Sequence, residues 1–185
     1  MSLQGHIIIS AQSQLGLIET GGSDGHSGNI VPYWDWWEKV TGEHFQGASW
    51  CAAFVSWVFD KNNASSLIAA KNVHGFIYCP DMELFAIKNK LIISDKRKAQ
   101  PGDIVLFDWE GAGIADHVGI VEKNLSATTP YLQTIEGNTS GEGAMGSQRN
   151  GGGVYRRNRH IDATIRLIIR PKYPVKLTSL VSTAG

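Results

Sequence analysis

Apolar residues recur near the helical period at Leu3, Ile7, Ile8, Ala11, Leu15 and Ile18, a spacing that predicts a helix over residues 3–18. "TGGSDGHSGN" then breaks the pattern. In "VPYWDWWEKV" four aromatics crowd into five positions, a patch suited to a core or to the wall of a groove, before Gly42 and Gly47 reopen the chain. Positions 50–60 of "GASWCAAFVSWVFD" are apolar nearly all round, apart from Ser56 and Asp60, which describes a helix buried on most sides. Ser49 is its expected N-cap. A looser helix is expected over 81–89, followed by the charged turn "SDKRKAQPGD".

From Asp103 the texture changes to short β-rich segments bounded by Gly, Pro, Asn or charged turns: "DIVLFDW", "DHVGIVE", "YLQTIEGN", "GGVYRRNR" and "TIRLIIR". Helices first and neighbouring strands afterwards predict an α+β fold with an antiparallel sheet. "PKYPVKLTSLVSTAG" carries two prolines and then small polar residues. The expected organisation is one domain over 1–172, with a tail or linker start at 173–185. "SGEGAMGSQRNGGG" reads as a glycine-rich loop.

At 185 residues the chain can bury one substantial core. Its 42% hydrophobic and 18% charged residues exclude a disordered composition. Seventeen basic residues balance seventeen acidic ones, so no general field holds nucleic acid or an anionic membrane. The longest apolar run at the start is Ile7–Ile9, too short for a signal peptide core or a membrane span. With only two cysteines, Cys51 and Cys79, free thiols are expected rather than a disulfide framework.

Cys51 admits three readings: a buried small hydrophobe, half of a disulfide with Cys79, or a nucleophile at a helix tip. Near a helix start, unpaired N–H groups and the positive end of the macrodipole favour a thiolate. Strand alternation in "DHVGIVE" puts His117 on one face with Gly119 and Val121, where glycine leaves room beside the ring, and turns Asp116 the other way. In "QTIEGN" the same rule puts Glu136 and Asn138 on one face. A carboxylate or amide there can fix an imidazole's tautomer and direction. Each of these residues also has a plain structural role open to it.

Taken in order, "SWCAAFVSWVFD", "PGDIVLFDW", "DHVGIVE", "IEGNTS" and "NGGGVYRRNR" resemble the CHAP family, the cysteine, histidine-dependent amidohydrolases and peptidases. The resemblance runs from about Ile7 to Ile169. "GNIVPYWDWWEKVTG" is similar to the segment before the nucleophile in cell-wall lysins, especially those of phages. The resemblance implies a papain-like fold with the nucleophile at the start of a central helix. It also implies cleavage of an amide in the peptide part of peptidoglycan, with Cys51 as nucleophile, His117 as base and acid, Glu136 as the orienting group and Asn138 in support. The backbone N–H of Cys51 is then a candidate oxyanion donor, with Gln46 a weaker one.

Some relatives bind calcium through acidic residues just before the nucleophile, but "TGEHFQGASW" offers only Glu43, and "DGHSGN" places glycine where oxygen ligands are needed. No metal and no cofactor are therefore expected, and activity should survive a chelator. "GEGAMG" fits G-x-G-x-x-G, yet "SQRNGGG" follows in place of a helix, which excludes a dinucleotide site; a loop beside Glu136 is expected there. Trp36 and Trp50 are the expected substrate-facing aromatics.

The expected protein is a monomeric phage endolysin acting on bacterial cell-wall peptidoglycan, held in the host cytoplasm until release, with no nucleic-acid partner and no membrane insertion. A bacterial autolysin, a noncatalytic wall-binding module on the same fold, and an intracellular protease stay open as alternatives.

Overall fold

A computed structural model describes residues 1–21, 28–141 and 151–174. Most of "DGHSGN", most of the expected loop at "GEGAMG" and the tail beyond 174 lie outside the described residues.

The first helix, α1 (Leu3–Gln12), is capped by Ser2, whose Oγ accepts a hydrogen bond from the Gly5 N–H at 3.2 Å. It ends short of the expected residue 18, and Gly16 turns the chain with φ 85°. The aromatic patch is itself a helix, α2 (Pro32–Thr41). Proline fixes φ at its start, and Gly42, in the left-handed region at φ 76°, returns its N–H to the Glu38 carbonyl at 2.7 Å.

The apolar run forms α3 (Cys51–Asp60), capped by Trp50 rather than by Ser49, so that Cys51 is its first residue. Helix α4 (Cys79–Asn89) likewise begins on a cysteine, ahead of the expected residue 81, with Pro80 in its first turn.

Six strands complete the described chain: β1 (Ile92–Ile93), β2 (Ile104–Phe107), β3 (His117–Asn124), β4 (Tyr131–Thr139), β5 (Gly153–His160) and β6 (Ile165–Ile169). They form one sheet in the order β1-β6-β2-β3-β4-β5, antiparallel at every step. The α+β, papain-like class expected from the sequence is the one observed. Only β1 has no counterpart among the expected strands, since two residues are too few to show a period.

Alternation along the strands splits the core. Ile104, Leu106, Val118, Ile120 and Ile135 join the helices in the larger cluster, while Val105, Phe107, Val121, Leu132, Ile165 and Ile168 form a second cluster on the other face. Helix α3 lies centrally, with β3 and β4 on one side and α1 and α2 on the other. Its approach to β4 depends on Gly137, where an added Cβ would come within 2.7 Å of both Phe54 and Trp50.

The packed chain runs past the expected boundary at 172. The Tyr173 hydroxyl donates to the Gly102 carbonyl at 2.7 Å, and its ring stacks on Phe59.

Candidate active site

Two helix starts and the head of β3 meet at Cys51. As the first residue of α3 it stands at the positive end of a helix with no acidic residue in its first turn. Its N–H is one of the four that an α-helix leaves without an internal acceptor. Across from it, Cys79 opens α4, and the two sulfurs are 4.0 Å apart as free thiols. A clamp fixes that pairing: Ser56 Oγ, within α3, donates to the Phe76 carbonyl at 2.5 Å and accepts from the Phe76 N–H at 2.9 Å. The segment leading into α4 is thereby tied to the helix that Cys51 opens.

The ionisation of the two thiols is opposed. The hydrogen bond from Cys79 is the strongest influence holding Cys51 well below the usual thiol range, against the cost of burial, and His117 adds to it. Cys79 is pushed well above that range, first by its bond to Cys51 and then by burial.

His117, at the head of β3, is fully buried. Its Nε2 faces Glu136 Oε2 at 3.0 Å, which leaves Nδ1, buried and without a full hydrogen bond, as the nitrogen for Cys51. Burial alone would lower the imidazole's pKa. The bonds to Cys51 and Glu136 outweigh it and raise His117 to about 9, so the ring is an imidazolium at neutral pH. Gly119 does leave room, and Glu136 fills it: a Cβ at Gly119 would lie 2.6 Å from Glu136 Cγ.

Glu136, on β4, is held from three directions. Thr134 Oγ1 donates to Oε1 at 2.5 Å, Arg159 Nε to Oε1 at 2.8 Å, and Arg159 Nη2 to Oε2 at 2.5 Å. Burial would raise its pKa, but the Arg159 and His117 bonds prevail and hold it at about 2. The expected alternation stops there. β4 bulges between Glu136 and Thr139, and Asn138, fully buried, takes a left-handed φ of 56°. Its carbonyl accepts from the Gly151 N–H at 2.9 Å.

Asp116 leaves the His117 face as expected, and its Oδ2 accepts from the Trp109 and Glu110 N–H groups at 3.0 and 3.3 Å, which shapes the 108–116 loop. It stays close enough to Cys79 for its charge to help push that thiol up.

Cys51 and Cys79 lie at the floor of a cleft of about 340 Å³, walled by Ser49, Ile77, Tyr78 and the loop residues Glu110, Ala112 and Ile114. Neither Trp36 nor Trp50 lines it, which corrects the expectation. Trp50 is fully buried with its indole N–H on Glu19 at 2.8 Å, and Trp36 donates to Asp60 at 3.0 Å. Trp50 packs inside against Tyr33 and Trp36 packs, partly buried, against Trp37, each with its indole N–H on a carboxylate. Gln46 is spent on Val31 and Asp35, and Glu43 on Trp37 and Lys71.

Cys79, Thr134 and Arg159 are the site residues that the sequence reading missed as functional groups. Cys79 was weighed only as a disulfide partner. Arg159 stood in a basic cluster, "YRRNRH", that gave no sign of which arginine turns inward.

The CHAP domain family matches the chain over residues 32–138, from the first residue of α2 to Asn138. Among solved structures, NlpC1 from Trichomonas vaginalis shares the fold with a TM-score of 0.50 at 13% identity, over 94% of this chain and 45% of its own. The chain thus spans less than half of that neighbour. No curated protein matches.

Proposed function

The chain belongs to the CHAP domain family of cysteine, histidine-dependent amidohydrolases and peptidases, and on that premise we propose that it cleaves an amide bond in the peptide part of bacterial peptidoglycan, as the catalytic domain of a phage endolysin. The observation that supports this best is a helix-start thiol lining a cleft and backed by a buried imidazole that a buried carboxylate holds at 3.0 Å.

In the proposed reaction the Cys51 thiolate attacks the carbonyl carbon, and the Cys51 N–H steadies the oxyanion from the helix start. As the carbon–nitrogen bond breaks, His117 Nδ1 gives its proton to the leaving amine. Water then attacks the thioester, His117 takes the proton back, and Cys51 leaves as thiolate. Glu136 keeps the ring aligned throughout, and Asn138 supports the turn beneath it. The bond is either muramoyl–alanine or one within the stem peptide or cross-bridge.

The domain is taken as a monomer that waits in the host cytoplasm and acts on the wall after release. Among the described residues no helix is long and apolar enough to cross a membrane.

Mass spectrometry of fragments released from purified Gram-positive walls tests the proposal. The native protein is expected to release fragments whose new termini identify the bond, and a folded Cys51→Ala variant none. Binding without release by both proteins, across several cross-bridge types, would establish a wall-binding module instead.

A further inference from the structure

Arginines 156, 157 and 159 follow one another along β5, and they differ in burial. The Arg156 side chain is 44% exposed and pairs with Glu122, whereas the Arg159 side chain is 8% exposed. A buried guanidinium is costly to desolvate unless its charge is matched and its donors are used. Arg159 meets that condition on the carboxylate behind His117, with Nε on one oxygen of Glu136 and Nη2 on the other.

Its plane is fixed as well. The guanidinium lies 4.8 Å from the Trp109 ring and 5.5 Å from Phe107, which stack on each other, and Phe107 also leans against His117 at 5.8 Å. A two-pronged fork resting against stacked rings holds a carboxylate in one orientation, which a point charge cannot do.

We propose that Arg159 is a positioning residue for the Cys51–His117 pair, acting through Glu136. The site is then a row of alternating charges, Cys51 negative, His117 positive, Glu136 negative and Arg159 positive, contributed in turn by α3, β3, β4 and β5. This inference rests on the reading of Cys51 and His117 as the reacting pair. Among the described residues, Cys79 from α4 and Asp116 and Glu110 from the loop before β3 lie at the Cys51 end of the row, and Arg157, two residues before Arg159 on β5, donates to the Ser140 carbonyl at 2.6 Å. Arg159 is the cation bonded to both oxygens of Glu136, and so balances it once His117 has given its proton to a leaving amine. Stability alone gives weak grounds for the pair, since buried ion pairs are commonly replaceable by apolar side chains.

The rate of Cys51 alkylation by iodoacetamide against pH reads the thiolate with no wall substrate present. In a folded Arg159→Met variant, loss of the positive charge is expected to move the alkylation midpoint up by about one pH unit and to lower turnover. Arg159→Lys, which keeps the charge but not the fork, is expected to recover at least half of that shift while turnover stays low. A folded Arg159→Met protein with the native midpoint overturns the proposal.

Should the methionine variant not fold, Arg159→Lys decides: native midpoint together with native turnover overturns the proposal. Carbon NMR of the native protein needs no variant at all. There the Glu136 carboxyl is expected to stay ionised well below the ordinary glutamate range, and a midpoint within that range counts against Arg159. Native alkylation at low pH without wall fragments would sink the substrate reading and leave this one standing.

Discussion

Cys51 owes its charge to its neighbours, and the pH dependence of the chemistry follows from them. Cys51 is held well below the usual thiol range, and an imidazole raised to about 9 stays protonated through neutrality. The ion pair therefore forms as Cys51 loses its proton below the ordinary thiol range and disappears as His117 loses its own at about 9. The kcat/KM profile is expected to be a broad bell with its alkaline limb at about 9, and an alkaline limb near the ordinary histidine value of roughly 6.5 would show that Glu136 and Cys51 do not hold the ring as described.

The groups that carry this balance were unequally visible in the sequence. Cys51, His117 and Glu136 each stand in a short pattern whose local geometry has meaning, a helix start or an alternating strand. Cys79, Thr134 and Arg159 act across the tertiary fold, where spacing along the chain says nothing about which side chains meet. Trp36 and Trp50 misled for a related reason, because hydrophobic pattern cannot distinguish a ring packed inside from one lining a groove.

Two glycines set how closely the elements that bear the site can approach, one on each face of the sheet. Gly137 admits α3 against β4, and Gly119 admits Glu136 against β3. Alanine at either position puts a methyl group where another atom already lies, a kind of overpacking that costs about 1–3 kcal/mol. The two effects should separate. Gly137→Ala is expected to lower Tm by several degrees through the helix-to-sheet contact. Gly119→Ala displaces the carboxylate itself, so its loss of kcat should exceed what its loss of Tm explains. Thermal melts beside initial rates check this, and equal activity in the two variants would contradict it.

The strands were legible because each is short, rich in β-forming residues and bounded by Gly, Pro, Asn or charged turns. Helix α2 was not, because its crowded aromatics mask the period, although Pro32 and Gly42 mark both of its ends. The sheet order was hidden as well: alternation says which residues share a face, not that β6 inserts between β1 and β2.

At the scale of the whole molecule, Cys51 belongs to the helical first half of the chain, while His117, Glu136 and Arg159 arrive on strands from the second half. No continuous stretch contains a working site. Loop closure makes such distant pairings slow compared with helix formation. The sheet compounds this, since β2 is complete only when β6 has returned from the far end of the chain to lie beside it. Refolding therefore has a built-in sequence in time: helical signal should return first, while Cys51 keeps the reactivity of an ordinary thiol. Its enhanced alkylation should appear only with the slowest phase, once β3, β4 and β5 have docked on α3. Stopped-flow circular dichroism run beside quenched alkylation would resolve the two events, and reactivity that recovered together with the first helical signal would mean that the strands have no part in making the thiolate. A chain emerging from synthesis would by the same logic carry an unarmed cysteine until its last strands had formed.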